Sequence, residues 1–179
     1  MLVLCFDATD GELIYESVVT EVDSPQAIHI GNSYAPPTPV IVGNHLYVHF
    51  GVNGTACLNA GTGKVLWRKS IPVFYSVGAG SSPVVYEDLL MLVCDGIDQQ
   101  FVVALDRNTG GTVWKTNRPP KRADDGQLQK AYSTPLVVHH DGRDQLVVPS
   151  AQWVVSYDPL TGKEIWRVDH GQGFSTIPR

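Results

Sequence analysis

The chain has 179 residues, of which 43% are hydrophobic and 17% are charged. This composition is ordinary for a folded domain and excludes an intrinsically disordered chain. The 13 Lys and Arg residues against 18 Asp and Glu residues give a net charge of −5, and the basic residues are scattered along the sequence. Because nucleic-acid binding needs a concentrated positive patch, a nucleic-acid partner is excluded.

No segment has the length of a membrane span. The longest aliphatic run, Leu89–Val93, is far shorter than the ~20 apolar residues that a transmembrane helix needs. Residues 1–6 lack a basic leader and are more typical of a strand than of a signal peptide. Cys5, Cys57 and Cys94 lie far apart and lack metal-ligand spacing, so we expect three small buried side chains.

A short pattern, seen most completely at 104–114, recurs four times along the sequence. Each copy has a small or compact residue, an Asp or Asn two positions later, then a Gly four positions and an aromatic residue eight positions after the Asp or Asn. Three of the four tryptophans occupy the same position in this pattern. Internal repeats of about 50 residues are typical of solenoids and propellers.

Each copy of the pattern has the local features of a β-hairpin. Residues 102–105 and 154–157 are β-branched, aromatic or small, as in a buried strand. The turn that follows ends on a glycine, which adopts positive φ without steric cost. We expect the Asp or Asn side chain to accept hydrogen bonds from backbone amides of the turn, and a second strand to follow.

A second hairpin precedes each of the last three copies, at 38–50, 82–93 and 134–148. Each reads as a strand, a short polar turn and a second strand of apolar residues. Two hairpins make about four short antiparallel strands per repeat, which is the size of one propeller blade. The predicted fold class is therefore all-β, a β-propeller of four-stranded antiparallel blades.

The repeats predict one partial propeller domain over 1–179. The boundaries predicted are blade remnants at 2–18, blades at 38–70, 82–116 and 134–169, and the start of another blade at 174–179. Since a closed propeller has roughly 4 to 8 blades, we expect an open arc of about three and a half to four blades and a segment of a longer protein. The irregular stretches 23–37 and 117–127 are predicted to be exposed loops, which often carry function.

The repeated pattern resembles the tryptophan-docking motif of the pyrroloquinoline-quinone-type (PQQ-like) β-propeller repeats. The copy at 104–114 departs only at Gly111, where Lys is common, whereas Tyr15 and Asp10 replace the Trp and Thr of the first copy. The resemblance implies that the aromatic residue of each blade stacks on the turn of its neighbour, with the Tyr15 contact the least secure. The blade-docking residues so implied are Asp7, Gly11, Tyr15, Asn59, Gly63, Trp67, Ala104, Asp106, Gly110, Trp114, Ser156, Asp158, Gly162 and Trp166.

Members of this family differ in function. Some are quinone-dependent alcohol or sugar dehydrogenases, whereas others bind no quinone and act as interaction platforms, such as the propeller lipoprotein of the bacterial outer-membrane assembly machine. A quinoprotein dehydrogenase needs a bound divalent cation, a carboxylate base and surfaces that sandwich the quinone. The sequence lacks the vicinal cysteines of the methanol-oxidising members, and Asp124 and Asp125 beside Lys121 and Arg122 fit a solvated charge cluster.

The sequence favours a non-catalytic scaffold or binding module for protein or carbohydrate partners. The resemblance places it in a larger exported bacterial protein, periplasmic or extracellular. Whether it is an enzyme stays open, with a non-enzyme favoured. No cofactor is expected; PQQ and calcium belong to the alternative, a segment of a quinone-dependent alcohol or sugar dehydrogenase. The remaining blades of the same chain, or another copy, are expected to cover the open ends.

Four aromatic residues stand ahead of the strands that open a blade. In a propeller these strands lie nearest the central channel, so one interpretation is that the aromatic side chains line a mouth of the channel and bind a partner there. Packing within the core or between blades is the favoured alternative. The residues are Tyr34, Tyr75, Tyr132 and Phe174.

Overall fold

The computed structural model of the protein describes residues 1–119 and 123–171. Within these residues, fourteen strands form one two-stranded and three four-stranded antiparallel sheets. We number the sheets 1 to 4 in chain order. The predicted start of a further blade at 174–179 lies outside the described residues, and the division into blades stays a prediction.

The strands follow the order of the sequence. Sheet 1 contains β1 (Leu2–Phe6) and β2 (Leu13–Val18). Sheet 2 contains β3 (Val40–Val42), β4 (His45–His49), β5 (Thr55–Asn59) and β6 (Val65–Lys69). Sheet 3 contains β7 (Val84–Tyr86), β8 (Leu89–Asp95), β9 (Gln100–Asp106) and β10 (Thr112–Asn117). Sheet 4 contains β11 (Leu136–His140), β12 (Arg143–Pro149), β13 (Trp153–Tyr157) and β14 (Glu164–Asp169).

In every sheet each strand pairs with its neighbours in sequence, so each sheet is a simple meander. The register shifts once, beside the turn that joins the last two strands, in all four sheets. Two short 3-10 helices, Gly51–Asn53 and Gly126–Leu128, interrupt the connections. No helix in the described ranges has the length and hydrophobicity needed to cross a membrane.

The repeated pattern forms the last hairpin of each sheet. In sheet 3, Asp106 Oδ1 accepts hydrogen bonds from the backbone amides of Asn108 (2.9 Å) and Thr109 (2.8 Å), as expected from the sequence. The Gly110 amide donates to the Asp106 carbonyl at 2.8 Å, and Gly110 has φ of +73°. Equivalent side-chain contacts close the turns that begin at Asp7, Asn59 and Asp158.

The hydrophobic core lies between the sheets. Tyr47 and Cys57 of sheet 2 share a cluster with Leu90 and Leu105 of sheet 3. The opposite face of sheet 3 shares a second cluster with sheet 4, and sheets 1 and 2 share a third. Because the sheets pack face to face in series without closing into a ring, the predicted fold class is confirmed as an open arc of propeller blades.

Candidate functional site

The tryptophans of sheets 2 and 3 contact the turn of the following sheet. Trp67 Nε1 donates a hydrogen bond to the carbonyl of Arg107 at 2.9 Å, and Trp114 Nε1 donates to the carbonyl of Pro159 at 3.0 Å. Both acceptors directly follow the Asp of the next turn, and both indoles are only 9% exposed. The two contacts therefore repeat one geometry across two joints between sheets.

The glycine of each receiving turn lies under the aromatic ring. A Cβ atom at Gly110 would stand 2.7 Å from Trp67 Cε3, which is closer than nonbonded carbon atoms approach. The Trp114 ring fills the corresponding space at Gly162. The glycine is thus required both by its positive φ and by the space that the neighbouring aromatic ring occupies.

Tyr15 makes the corresponding contact between sheets 1 and 2. Its hydroxyl donates to the carbonyl of Ala60 at 2.9 Å, and its Cδ2 would lie 2.5 Å from a Cβ atom at Gly63. The phenol therefore reaches the carbonyl that the indole reaches in the other two joints. That the Tyr15 contact is the least secure of these contacts stays a prediction.

Trp166 has no receiving turn among the described residues. Its indole is 36% exposed, and Nε1 donates to Gln145 Oε1 of the same sheet at 2.7 Å. The structure thus brings three of the four aromatic pattern residues onto a neighbouring turn and leaves the fourth on the outer face of sheet 4.

Two of the aromatic residues assigned to a channel mouth pack on each other. The rings of Tyr75 and Tyr132 have centroids 6.4 Å apart, and the side chains are 3% and 7% exposed. Tyr34 donates to the carbonyl of Gln26 and lines a small cavity together with Tyr75. Phe174 lies outside the described residues. The burial of Tyr75 and Tyr132 supports the packing interpretation.

A cleft of about 620 Å³ opens between three segments that sequence reasoning did not bring together. It is lined by the segment after β2 (19–26), the connection between β4 and β5 (52–55), and the end of β6 (68–70). We call it the interloop cleft. Its volume falls within the roughly 300–1,000 Å³ that is usual for ligand sites.

Two anchors shape the interloop cleft. The Arg68 guanidinium donates to the carbonyls of Val18 and Val19, which holds the segment after β2 against β6. On the other wall, Gly54 has φ of +120° and its carbonyl accepts from the Phe50 amide at 2.8 Å. The Gly54 position is therefore one that favours glycine.

The polar groups of the interloop cleft are rich in donors. Asn53 is 9% exposed, and no described residue accepts a hydrogen bond from its Nδ2. The lining residues include the cationic Arg68 and Lys69, whereas Glu21 and Asp23 of the segment 19–26 lie outside the lining. The donor groups of Asn53, Arg68 and Lys69 favour a ligand rich in acceptor oxygens.

A buried ion pair within sheet 3 is hydrogen-bonded to sheet 4, and the sequence did not reveal it. Arg118 Nε lies 3.2 Å from Asp95 Oδ1, and the guanidinium also donates to the Tyr157 hydroxyl and the Val148 carbonyl, both at 3.1 Å. Burial raises the pKa of Asp95 to about 6, although Arg118 opposes this shift. The prediction that 117–127 is an exposed loop is therefore wrong at Arg118, because its guanidinium fills an inter-sheet gap.

A redox or metal site would need an accessible thiol or a group of ligating side chains. Cys57 and Cys94 are buried as expected, and burial raises the pKa of their thiols to about 11 and about 12; Cys5 is partly exposed. Asp124 and Asp125 are exposed. Within 1–119 and 123–171, no three His, Cys, Asp or Glu side chains are grouped so that they could share a metal ion.

Comparisons with known proteins agree with this architecture. The family model described as outer membrane protein assembly factor BamB matches residues 2–176. No match was found among curated protein sequences. BamB from Moraxella catarrhalis is 14% identical, with a TM-score of 0.59 over 89% of this chain and 41% of that one.

Two enzymes of known structure share the fold. A europium-containing methanol dehydrogenase is 15% identical, with a TM-score of 0.68 over 96% of this chain and 38% of its own. The quinohemoprotein alcohol dehydrogenase from Comamonas testosteroni is 17% identical, with a TM-score of 0.64 over 97% of this chain and 33% of its own.

At these identities the solved structures establish the fold alone. The chain spans about two fifths of the length of the first two structures, with 41% and 38% covered. The family match, by contrast, extends over nearly the whole chain and agrees with the four turns and the three aromatic joints described above. The chain therefore belongs to the PQQ-like propeller family described as outer membrane protein assembly factor BamB.

Proposed function

We propose that this chain is a non-catalytic propeller module of a larger exported bacterial protein, periplasmic or extracellular, which binds a protein partner at the interloop cleft. The single observation that carries the proposal is the group of hydrogen-bond donors, Asn53, Arg68 and Lys69, that lines a cleft of about 620 Å³. A carbohydrate is the competing ligand class. Family membership supports a role in assembly, since the family is described by an assembly factor.

The residues of the cleft fit an acidic peptide segment. Lys69 supplies a positive charge at the rim, and Asn53 Nδ2 supplies a buried donor for a backbone or carboxylate oxygen. Charged rim residues raise association rates and select the sign of the partner's charge. Loops held by a rigid sheet scaffold are common binding sites. The ligand class proposed is thus an extended segment with Asp or Glu side chains.

The test measures fluorescence anisotropy of labelled peptides of alternating Glu and Ala, and of Lys and Ala, with the full-length protein. We expect the acidic peptide to bind and Lys69→Glu to weaken its binding by about fivefold, which corresponds to about 1 kcal/mol. Lys163→Glu, on the exposed turn of sheet 4, is the matched control and should bind as the wild type does.

Three results would contradict the proposal. One is equal affinity in the Lys69→Glu and Lys163→Glu proteins, and another is preference for neutral oligosaccharides over the acidic peptide. The third is turnover of alcohols or sugars by full-length protein supplied with quinone and calcium, which would favour the dehydrogenase alternative. Quinone absorbance and calcium-dependent thermal stabilisation are the accompanying measurements for that alternative.

A further inference from the structure

A serine and a buried lysine meet where two connections between sheets lie side by side. Lys130 Nζ lies 3.0 Å from Ser76 Oγ, although 54 residues separate them in the sequence. Ser76 belongs to the connection between sheets 2 and 3, and Lys130 belongs to the connection between sheets 3 and 4. We propose that Ser76 is a nucleophile that accepts an acyl group from an activated ester, with the Lys130 amine as its general base.

Ser76 stands at the tip of a sharp turn. The Val77 amide donates to the Tyr75 carbonyl at 2.6 Å, which closes a three-residue turn around Ser76, and Ser76 has φ of +55°. Serine rarely adopts positive φ, and a three-residue turn with positive φ at its centre is strained. Strained backbone of this kind is common at catalytic nucleophiles.

Two neighbouring side chains hold the turn in this conformation. The Tyr132 hydroxyl donates to the Tyr75 carbonyl at 3.3 Å, and the Asn32 side chain donates to the Val77 carbonyl. Ser76 itself remains partly exposed. The serine is therefore fixed from both sides and accessible to an ester that arrives from solvent.

Lys130 has the surroundings of a general base. The residue is 1% exposed, and burial lowers the pKa of its amine from the ordinary value of 10.5, although the Asp125 carboxylate opposes this shift. Desolvation favours the neutral amine, whose lone pair can accept the serine proton. The distance of 3.0 Å to Ser76 Oγ lies within the roughly 2.6–3.2 Å expected between a nucleophile and its base.

The acyl transfer is balanced within this pair. Ser76 Oγ attacks the carbonyl carbon of the ester, and the serine proton passes to Lys130 Nζ. The bond between that carbon and the leaving oxygen then breaks, and the ammonium returns the proton to this oxygen, which departs as an alcohol or phenol. The product is an ester on Ser76.

This reaction is independent of the binding function proposed above. Neither Ser76 nor Lys130 lines the interloop cleft. The acyl group is transferred once, to the protein itself, and no turnover is required. A binding module without enzymatic activity can therefore be acylated at this serine.

The test incubates the full-length protein with p-nitrophenyl acetate, follows the release of nitrophenol, and locates the acetyl group by peptide mass spectrometry. We expect a burst of about one equivalent and an acetyl ester on Ser76 that hydroxylamine removes. Ser76→Ala should abolish the burst. Ser33→Ala, which removes an exposed hydroxyl from the connection between sheets 1 and 2, is the matched control and should react as the wild type does.

Replacing Lys130 separates a general base from a structural contact. Arginine retains the positive charge and can donate to Ser76, but it does not accept a proton near neutral pH. Acetylation of Ser76 should be slower by about a hundredfold in Lys130→Arg, and Lys130→Met, which has no amine, should be equally slow. Lys64→Arg, on the exposed turn of sheet 2, is the matched control and should keep the wild-type rate.

Far-ultraviolet circular dichroism checks that each variant is folded, and the wild-type result decides the proposal even where a variant is not. A wild type without an acetyl ester on Ser76 would overturn it. So would an acetyl amide on Lys130, since the lysine would then be the nucleophile. Acetylation of Ser76 in folded Lys130→Arg at the wild-type rate would show that the lysine is not the base.

Discussion

Gly110 meets two independent constraints, and a comparison with Gly142 separates them. The two glycines have nearly the same φ, +73° and +72°. Trp67 occupies the space of a Cβ atom at Gly110, whereas nothing lies within 4 Å of one at Gly142. The conformational cost of an alanine is therefore shared by both positions, and the steric cost belongs to Gly110 alone.

We predict that Gly142→Ala lowers the free energy of unfolding by about 1 kcal/mol, the cost of positive φ. Gly110→Ala should lower it by about 2 kcal/mol more, because the added methyl group displaces the Trp67 ring. Urea denaturation followed by circular dichroism measures both. Equal losses in the two variants would show that the aromatic ring moves away without cost.

Sheet 2 contains a buried histidine that links two of its strands. His49 on β4 is 3% exposed, and its Nδ1 lies 2.8 Å from Thr55 Oγ1 on β5. Burial lowers the pKa of His49 to about 4 from its ordinary value of 6.5. The folded sheet therefore contains the neutral imidazole, and protonation favours the unfolded chain.

This shift predicts a pH dependence of stability. The pKa of His49 is lower in the folded protein than in the unfolded chain. The stability associated with its neutral imidazole is therefore fully present above pH 6.5, and it is lost as the pH falls toward 4. The loss should approach about 3 kcal/mol, at about 1.4 kcal/mol for each unit of pKa. Asp95 acts in the opposite direction over part of this range, since burial raises its pKa.

The difference in the free energy of unfolding between the wild type and His49→Gln isolates the contribution of this histidine. Urea denaturation from pH 4 to 7.5 should show the wild type losing stability relative to the variant as the pH falls. His140→Gln, the same substitution at an exposed residue of β11, is the matched control for the change of residue type. Parallel curves for the wild type and His49→Gln would contradict a neutral buried imidazole.

The whole molecule is a linear array in which each sheet packs only on its neighbours along the arc. The stability of such an array is a sum of local and nearest-neighbour contributions. Sheet 1 has two strands where the others have four, and isolated two-stranded hairpins are marginally stable. Sheet 1 is therefore the part expected to open first.

Hydrogen exchange tests this order. Amides of β1 and β2 should exchange faster than those of β8 and β9, which are buried along their whole length or nearly so. Uniform protection across all four sheets would contradict the linear description.

Much of this fold follows from the sequence because its determinants are local. The Asp106 turn needs a carboxylate, two amides and a glycine within five residues, 106–110, and each is visible in the order of residues. The alternation of short apolar strands with such turns predicts the meander in the same way. Recurrence of the pattern then indicates blades, since one hairpin pair cannot bury both of its faces.

The site was not predictable in the same way. The interloop cleft combines segments around residues 20, 53 and 69, and the Asp95–Arg118 pair combines the end of β8 with the residue after β10. No spacing in the sequence marks either. The cleft forms only where segments of two sheets meet, and the ion pair forms only because Asp95 and Arg118 lie on either side of Gln100 in sheet 3. The aromatic residues at 75 and 132 show the same limit, because their position in the sequence left packing and a channel mouth both open, and only the structure shows that the two side chains are buried.

The sequence by itself determined the strands, the turns and the aromatic partner that each turn can accept. Only the tertiary structure decided which of these partners meet among residues 1–119 and 123–171: Trp67 lies on the Gly110 turn and Trp114 lies on the Gly162 turn. The physical reason is that turn conformation depends on neighbours in sequence, whereas burial of an aromatic ring depends on which sheet lies beside it.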